Sequence, residues 1–502
     1  MTMEPARRPA DLPHRAILQR LARKAMLERG LLPDFGPEAL AELDAIRAGA
    51  RGPDEPAGGS EPPPRDLRDL PWASIDNDDS RDLDQLTVAQ AQPGGAVRIL
   101  VAVADVAGTV RRGTALDEHA RHNTTSVYTP ARVFTMLPEA LSTDLTSLNC
   151  GGERPAIVVD LVIAADGTLR ASGLYRARVL NHAKLAYDSL AAWLEGDGGL
   201  PEAAAAVPGL EANLRLQDEA ARRLKQVRHA QGALSLETLE ARPVFMGDQI
   251  QDLALVGRNR ARTLIEDFMI AANGVTARYT ASVNFPSIRR VVRSPRRWGR
   301  IVALAGECGV ALPEEPDARA LEAFLARQKT ADPQHFPDLS LAIIKLMGPG
   351  EYVALRPGER SDGHFGLAVK DYTHATAPNR RYCDLVTQRL LRAGLAARSC
   401  PYTFEELDAL ARHCTQAEDA ADKVERQVGK SAAALLLQAR IGATFDAIVT
   451  GAAAKGTWAR LLPLGIEGRL VEGCQGQDVG ARLRVRLVSV DVERGFIDLQ
   501  VV

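Results

Sequence analysis

With 502 residues, the chain is too long for one hydrophobic core, and two to four domains are expected. It is 46% hydrophobic and 25% charged, which reads as soluble and globular; a net charge of -2 means that any nucleic-acid binding must rest on local patches. No run of 18 or more apolar residues occurs, so no membrane span is predicted, and "MTMEPARRPADLPHR" lacks the apolar segment of a secretory signal.

In chain order, residues 14 to 48 are rich in Ala, Leu, Arg and Glu, with apolar residues at helical spacing. They predict two or three helices broken at "GLLPDFGP". Residues 50 to 66, "ARGPDEPAGGSEPPPRD" in essence, are a Pro/Gly-rich linker. From about 69 to 398 strands and helices mix. "AVRILVAVADVAGTV" and "PAIVVDLVIAADGTL" read as buried strands, and "NRARTLIEDFMIAANGVTARYT" as a helix. Residues 402 to 439 are helical again. The remainder alternates and turns every eight to twelve residues, the pattern of a small β-barrel. The six cysteines (Cys150, Cys308, Cys383, Cys400, Cys414, Cys474) form no C-x-x-C pair and are expected to be inert thiols in a reducing compartment.

"SIDNDDSRDLDQL", residues 74 to 86, gathers Asp76, Asp78, Asp79, Asp82 and Asp84. A calcium loop of the EF-hand type fails, because its turn glycine would be Arg81 and its bidentate glutamate Thr87. A magnesium site for phosphoryl chemistry fits better, since Mg²⁺ takes hard oxygens and few carboxylates. "DLDQLTVAQ" reads as the start of a strand, which puts Asp82 and Asp84 on one face with Asp76 closing across the loop. A solvated acidic turn is the alternative. Two other stretches bear on the choice. "DYTHATAPNRRYCDLVTQRLL" sets an arginine pair ahead of an apolar-periodic helix, where Arg380 or Arg381 could clamp a phosphate. "LIEDFMIAAN" places Glu266 and Asp267 on a helix otherwise suited to burial.

Together with "VAVADVAG", "MLPEALSTDLTSLN", "GALSLE" and "HFGLAVKDYTHATAPNRRYCDL", these stretches resemble the ribonuclease II / ribonuclease R family of processive exoribonucleases, from roughly residue 69 to the end. The resemblance implies an α+β multidomain protein. Residues 1–66 form a helical module with its linker, 69–398 a mixed α/β RNB catalytic domain, 399–439 a helical connection, and 440–502 an S1-type OB-fold barrel. It implies Mg²⁺-dependent hydrolysis of RNA from the 3′ end to nucleoside 5′-monophosphates, with Mn²⁺ as the substitute cation. Asp76, Asp82 and Asp84 match three of four acids of the family's metal cluster, and Asp84 and Arg380 its catalytic pair. Tyr128 matches an aromatic that stacks on terminal bases, and Glu266 an acid near the 3′-terminal nucleotide; Arg381 and Tyr382 complete the "RRY" candidates. Asp105 is read as structural.

This sequence departs from the pattern in three places. Gln85 stands where the family's fourth acid falls; an amide carbonyl can face Mg²⁺ but brings no charge, and Asp78 or Asp79 would have to compensate. Leu236 stands where a phenylalanine is common, which makes base stacking one-sided. The front end is helical rather than a pair of OB folds. It is read as a helix-turn-helix or winged-helix module bearing Arg7, Arg8, Arg15, Arg20, Arg23, Lys24 and Arg29, or else as a pack that stabilises the catalytic domain. Six arginines in residues 285 to 300, and Arg482, Arg484 and Arg486 alternating in the barrel, suit a polyanion. Trp458 and Phe445 are stacking or core candidates. The expected partner is single-stranded RNA, with structured RNA at the N-terminal module, bound by a cytoplasmic monomer. A catalytically degenerate RNA binder and a nucleic-acid-binding regulator are the other two readings.

Overall fold

A computed structural model describes residues 13–49, 63–238, 240–453, 455–462 and 464–502. The 14–48 periodicity becomes two helices, α1 (His14–Glu28) and α2 (Pro37–Arg47). Gly30, at φ 74°, takes the left-handed turn that ends α1. Residues 50–62 of the expected linker, and Arg7 and Arg8, lie outside the described residues.

Strands then alternate with short connections: β1 (Arg65–Asp66), β2 (Ala73–Asp76), β3 (Gln85–Ala91), β4 (Val97–Ala104), the helix α3 (Ala115–Asn123), the hairpin β5 (Val127–Tyr128) and β6 (Val133–Phe134), and β7 (Glu153–Ile163), β8 (Leu169–Leu180) and β9 (Ala183–Ala186). Seven of these form one sheet in the order β1-β8-β7-β4-β3-β2-β9, antiparallel except at β1–β8 and β2–β9. Next come α4 (Tyr187–Glu195), α5 (Glu202–Ala205), α6 (Leu210–Ala230), the hairpin β10 (Glu240–Met246) and β11 (Gln249–Val256), and α7 (Arg260–Ser282). They are followed by β12 (Ser287–Val291), α8 (Trp298–Glu307), α9 (Ala318–Ala331), α10 (Phe336–Met347), β13 (Glu351–Leu355), α11 (Tyr382–Leu395) and α12 (Phe404–Leu437). The chain closes in β14 (Thr444–Ala453), β15 (Gly456–Leu462), β16 (Ile466–Glu472), β17 (Arg482–Asp491) and β18 (Phe496–Val501), a closed five-stranded barrel.

The large sheet is covered on both faces, which is why its strands read as unbroken apolar runs. Leu86, Val88, Leu100 and Val158 meet Leu385, Val386 and Leu390 of α11 and Leu407 of α12. The alternate residues Ala89, Ile99, Val101 and Leu161 meet Leu214 of α6 and Phe268 of α7. Asp105, just past β4, is buried and paired with Arg392 at 2.5 Å, the structural role expected of it.

The N-terminal helices lie on this body. Leu18, Ala22, Ala25 and Met26 of α1 are buried against Val424 and Val428 of α12 and Val127 and Phe134 of the β5–β6 hairpin. Ala39 and Leu43 of α2 join the core beside α3. The basic residues described here are engaged within the chain. Arg15 faces Asp248 at 3.3 Å, Arg23 faces Asp34, Arg20 pairs with Glu493 of the barrel, and Arg29 donates to Gln427 at 2.7 Å. This packing supports the stabilising reading.

The helix α12 runs 34 residues. Ala434 and Leu437 at its end enter the barrel core. In β17, Arg482, Arg484 and Arg486 are exposed and alternate with inward Val485 and Leu487, as the sequence pattern required. The 285–300 arginines do not form one free patch. Arg289 is buried and donates to Ala277 O at 2.8 Å, Arg290 pairs with Glu418, and Arg293 with Glu351 and Asp362; Arg296, Arg297 and Arg300 stay exposed.

Candidate active site

The acidic stretch spans the connection from β2 to β3. Asp76 ends β2, and its Oδ1 accepts from Asn77 N at 2.7 Å and Ser80 Oγ at 3.0 Å. The strand expected to carry Asp82 and Asp84 begins only at Gln85, so both acids lie in the approach to it. Asp84 is buried. Its Oδ1 accepts from Asn379 N at 3.1 Å, and its Oδ2 faces Arg380 Nε at 3.3 Å yet has no hydrogen-bond partner. Asp82 is half-buried and accepts from the Tyr128 hydroxyl at 3.3 Å. Asp78 and Asp79 are exposed. Gln85 pairs with Val103 and shares its strand parity with Thr87, whose side chain points to α6.

Burial pushes the Asp84 carboxyl up to about 7, with the Asp82 charge adding to the effect and Arg380 opposing it. Burial likewise raises Asp76, against the hydrogen bonds it accepts. Carboxylates crowded in this way favour a cation among them. Asp76, Asp82 and the unpartnered Asp84 Oδ2 are the hard oxygens that fit Mg²⁺. Among the described residues, however, no three His, Cys, Asp or Glu groups are already arranged as a metal cage. The donor set fits a cation that takes few carboxylates and completes its shell with water and substrate oxygens.

Two segments hold this loop in place. Ser147 Oγ accepts from Leu83 N at 3.0 Å, and Leu148 N donates to Leu83 O at 2.9 Å, so "MLPEALSTDLTSLN" braces the acids from one side. Thr146 Oγ1 donates to Asn379 Oδ1 at 2.6 Å, which aims the Asn379 backbone at Asp84. In the first turn of α11, Asp384 accepts from Ala377 N and from Arg381 Nη2, both at 2.8 Å. Arg380 is left half-exposed toward the acids.

Arg381 Nη2 donates to the buried Asp384, while its Nε has no hydrogen-bond partner. One sequence candidate is corrected here. Tyr382 is 2% exposed and donates to Asp117 at 3.0 Å, so it is a core residue and cannot touch RNA.

Tyr128, on β5, is 42% exposed, and its backbone N donates to Glu425 of α12 at 2.7 Å. Its ring is therefore free to stack while both ends are anchored. Glu266, on α7, lies 3.3 Å from Arg258. Leu236 packs against the cluster of α8 and α9, and the two line one cavity of 390 Å³. Sequence reading missed Tyr187, at the start of α4. Its ring carries the Arg262 guanidinium at 4.5 Å, and Arg262 donates to Asn77 at 2.8 Å. Burial and the Asp76 charge both push its hydroxyl up. The signal was an aromatic following the short strand β9, whose parallel pairing with β2 aligns Ala186 with Asp76.

Residues 64–397 match the model of the RNB domain, and 443–502 that of the RNase II-type exonuclease C-terminal S1 domain. The chain is 31% identical over 474 residues to ribonuclease R of Escherichia coli, covering 87% of this chain and 57% of that protein. It thus spans somewhat over half the length of that relative. Mycoplasma genitalium RNase R, solved in complex with ribose-methylated single-stranded RNA, superimposes with a TM-score of 0.83 at 23% identity, over 97% of this chain and 78% of that one. The same protein in complex with double-stranded RNA gives 0.81 at 24% identity, over 97% and 83%.

Proposed function

Because the chain belongs to the RNB-domain family, we propose that it is a 3′-to-5′ exoribonuclease that hydrolyses RNA with Mg²⁺ to nucleoside 5′-monophosphates. The observation that carries this is Arg380, half-exposed and turned to a buried, partly unpartnered Asp84. A surface ion pair gives no reason to bury one partner so completely.

In this mechanism a single strand lies with a terminal base on the Tyr128 ring, an orientation effect. Glu266 accepts from the sugar hydroxyls of the last nucleotide, which fixes its register. Asp76, Asp82 and Asp84 would hold Mg²⁺, with the Gln85 amide oxygen as the neutral neighbour. Bound there, the ion supplies a water of lowered pKa and neutralises phosphate charge. Arg380 stabilises the negative charge that grows on the scissile phosphate, and Asn379 keeps Asp84 aligned with it. Arg482, Arg484 and Arg486 add sequence-independent grip on the backbone.

All six cysteines are free thiols, which supports a reducing setting for the enzyme. No helix among the described residues is long and apolar enough to cross a membrane. Gln85, neutral where the family's fourth acid falls, favours one second reading, a family member that binds RNA without cutting it. Incubation of 5′-labelled single-stranded RNA with Mg²⁺ tests both. A ladder shortening from the 3′ end, with mononucleotide released, supports the enzyme; binding without shortening refutes it.

A further inference from the structure

Glu266 lines the 390 Å³ cavity, and its neighbour Asp267 lines both that cavity and a second of 840 Å³. Arg228, at the end of α6, is the other residue the two share. Asp267 Oδ1 takes the Arg228 guanidinium, so one ion pair partitions the two spaces. Asp84, Asp76 and Arg380 line neither.

The larger cavity has the makings of a ligand site. Its volume lies within the range of small-molecule pockets. Arg170, Arg278, Arg319 and Lys370 stand exposed in its lining, and none of them forms an ion pair with a described acid; the lining's acids are Asp371 and the buried Asp267. Its wall includes the apolar Leu224, Ile270 and Ala271. Asp267 is 1% exposed, and its Oδ2 is buried without a hydrogen-bond partner.

The cations and the apolar wall suit two parts of one molecule: the cations take a phosphate and the wall takes a base. Inorganic phosphate would use only the first. We propose that the 840 Å³ cavity is a nucleoside-monophosphate site, set apart from the cavity that Glu266 lines by the Arg228–Asp267 pair. That the nucleotide is the one released by cutting rests on the exoribonuclease reading, whereas the binding does not.

The test is calorimetry of adenosine 5′-monophosphate with the full chain, in chelator, using wild type, the double variant Arg278→Glu/Arg319→Glu, and Arg380→Ala. Both reversed arginines are exposed and unpaired, so folding should survive; Lys370→Glu serves if it does not. Wild type should bind the nucleotide more tightly than inorganic phosphate. The double variant should bind it about tenfold more weakly, and Arg380→Ala as wild type does. Three outcomes overturn the site: no binding to wild type, binding untouched by the charge reversal, or binding lost in Arg380→Ala, which would place the nucleotide at the catalytic centre. If wild type fails to shorten RNA while the binding pattern holds, the exoribonuclease reading falls and the cavity stands.

Discussion

Replacing Asp84 by asparagine should abolish hydrolysis and at the same time stabilise the metal-free fold. The carboxyl is buried, and its pKa is pushed from 3.8 to about 7, chiefly by desolvation. An acid raised in the folded state contributes its full stability below its unfolded value and loses it as pH climbs through the folded one. A shift of about 3 units corresponds to roughly 4 kcal/mol withheld from the fold above pH 7. Asparagine has no charge to desolvate and keeps an oxygen for Asn379 N. Its amide then faces Arg380 Nε, donor to donor, at a cost of about 1 kcal/mol. For a chain of this length the net gain is roughly 2–4 °C in Tm. The assay is a pair of thermal melts in chelator, at pH 5 and pH 8. The variant should melt higher than wild type at pH 8 and alike at pH 5, and added Mg²⁺ should close the gap by stabilising wild type alone. Its turnover should fall about a hundredfold or more, with RNA affinity unchanged. A variant that melts lower at pH 8, or that still cuts, would refute the reasoning.

Three other outcomes are expected. Gln85→Asp should lower the Mg²⁺ concentration needed for half-maximal rate; an unchanged requirement would mean that the three aspartates suffice. Leu236→Phe should restore a stacking face in the cavity it shares with Glu266, tightening RNA binding by about 1 kcal/mol, read as a lower KM at equal kcat. Removing residues 1–49 exposes Val127 and Phe134, which flank the anchored Tyr128, so it should lower Tm and slow degradation of unstructured and hairpin RNA alike; selective loss on the hairpin would instead favour a duplex-binding module.

The elements with a strong period were legible in the sequence. The buried strands β4 and β7, the helices α7 and α12, and the terminal barrel all lie where the apolar pattern put them. Asp76, Asp82, Asp84 and Arg380 stood out because charge at such density, or an arginine pair ahead of a buried helix, needs a reason. Tyr382 misled for a physical cause. The same "RRY" spacing that turns Arg380 to the acids turns Tyr382 inward to Asp117, and adjacency in sequence carries no sign of that turn. Tyr187, Asn379 and Thr146 were missed because each reaches the acids through long-range contacts. That the charges of the basic N-terminal helix meet acids within the chain was not legible, because Asp248 and Glu493 lie hundreds of residues away.

The helix α12 works as a ruler. It measures roughly 50 Å from end to end, and it meets Arg290 at Glu418, Tyr128 at Glu425 and the barrel at Leu437. Glu418 and Glu425 are seven residues apart, two turns along one stripe. One inserted residue between them would rotate everything beyond it by about 100° and advance it by about 1.5 Å. The barrel would then face a different way from the tyrosine, although every side chain at both places was intact. Deletions and insertions should therefore be tolerated in the loops and not in this helix, whose length is a functional quantity as much as the identity of any aspartate.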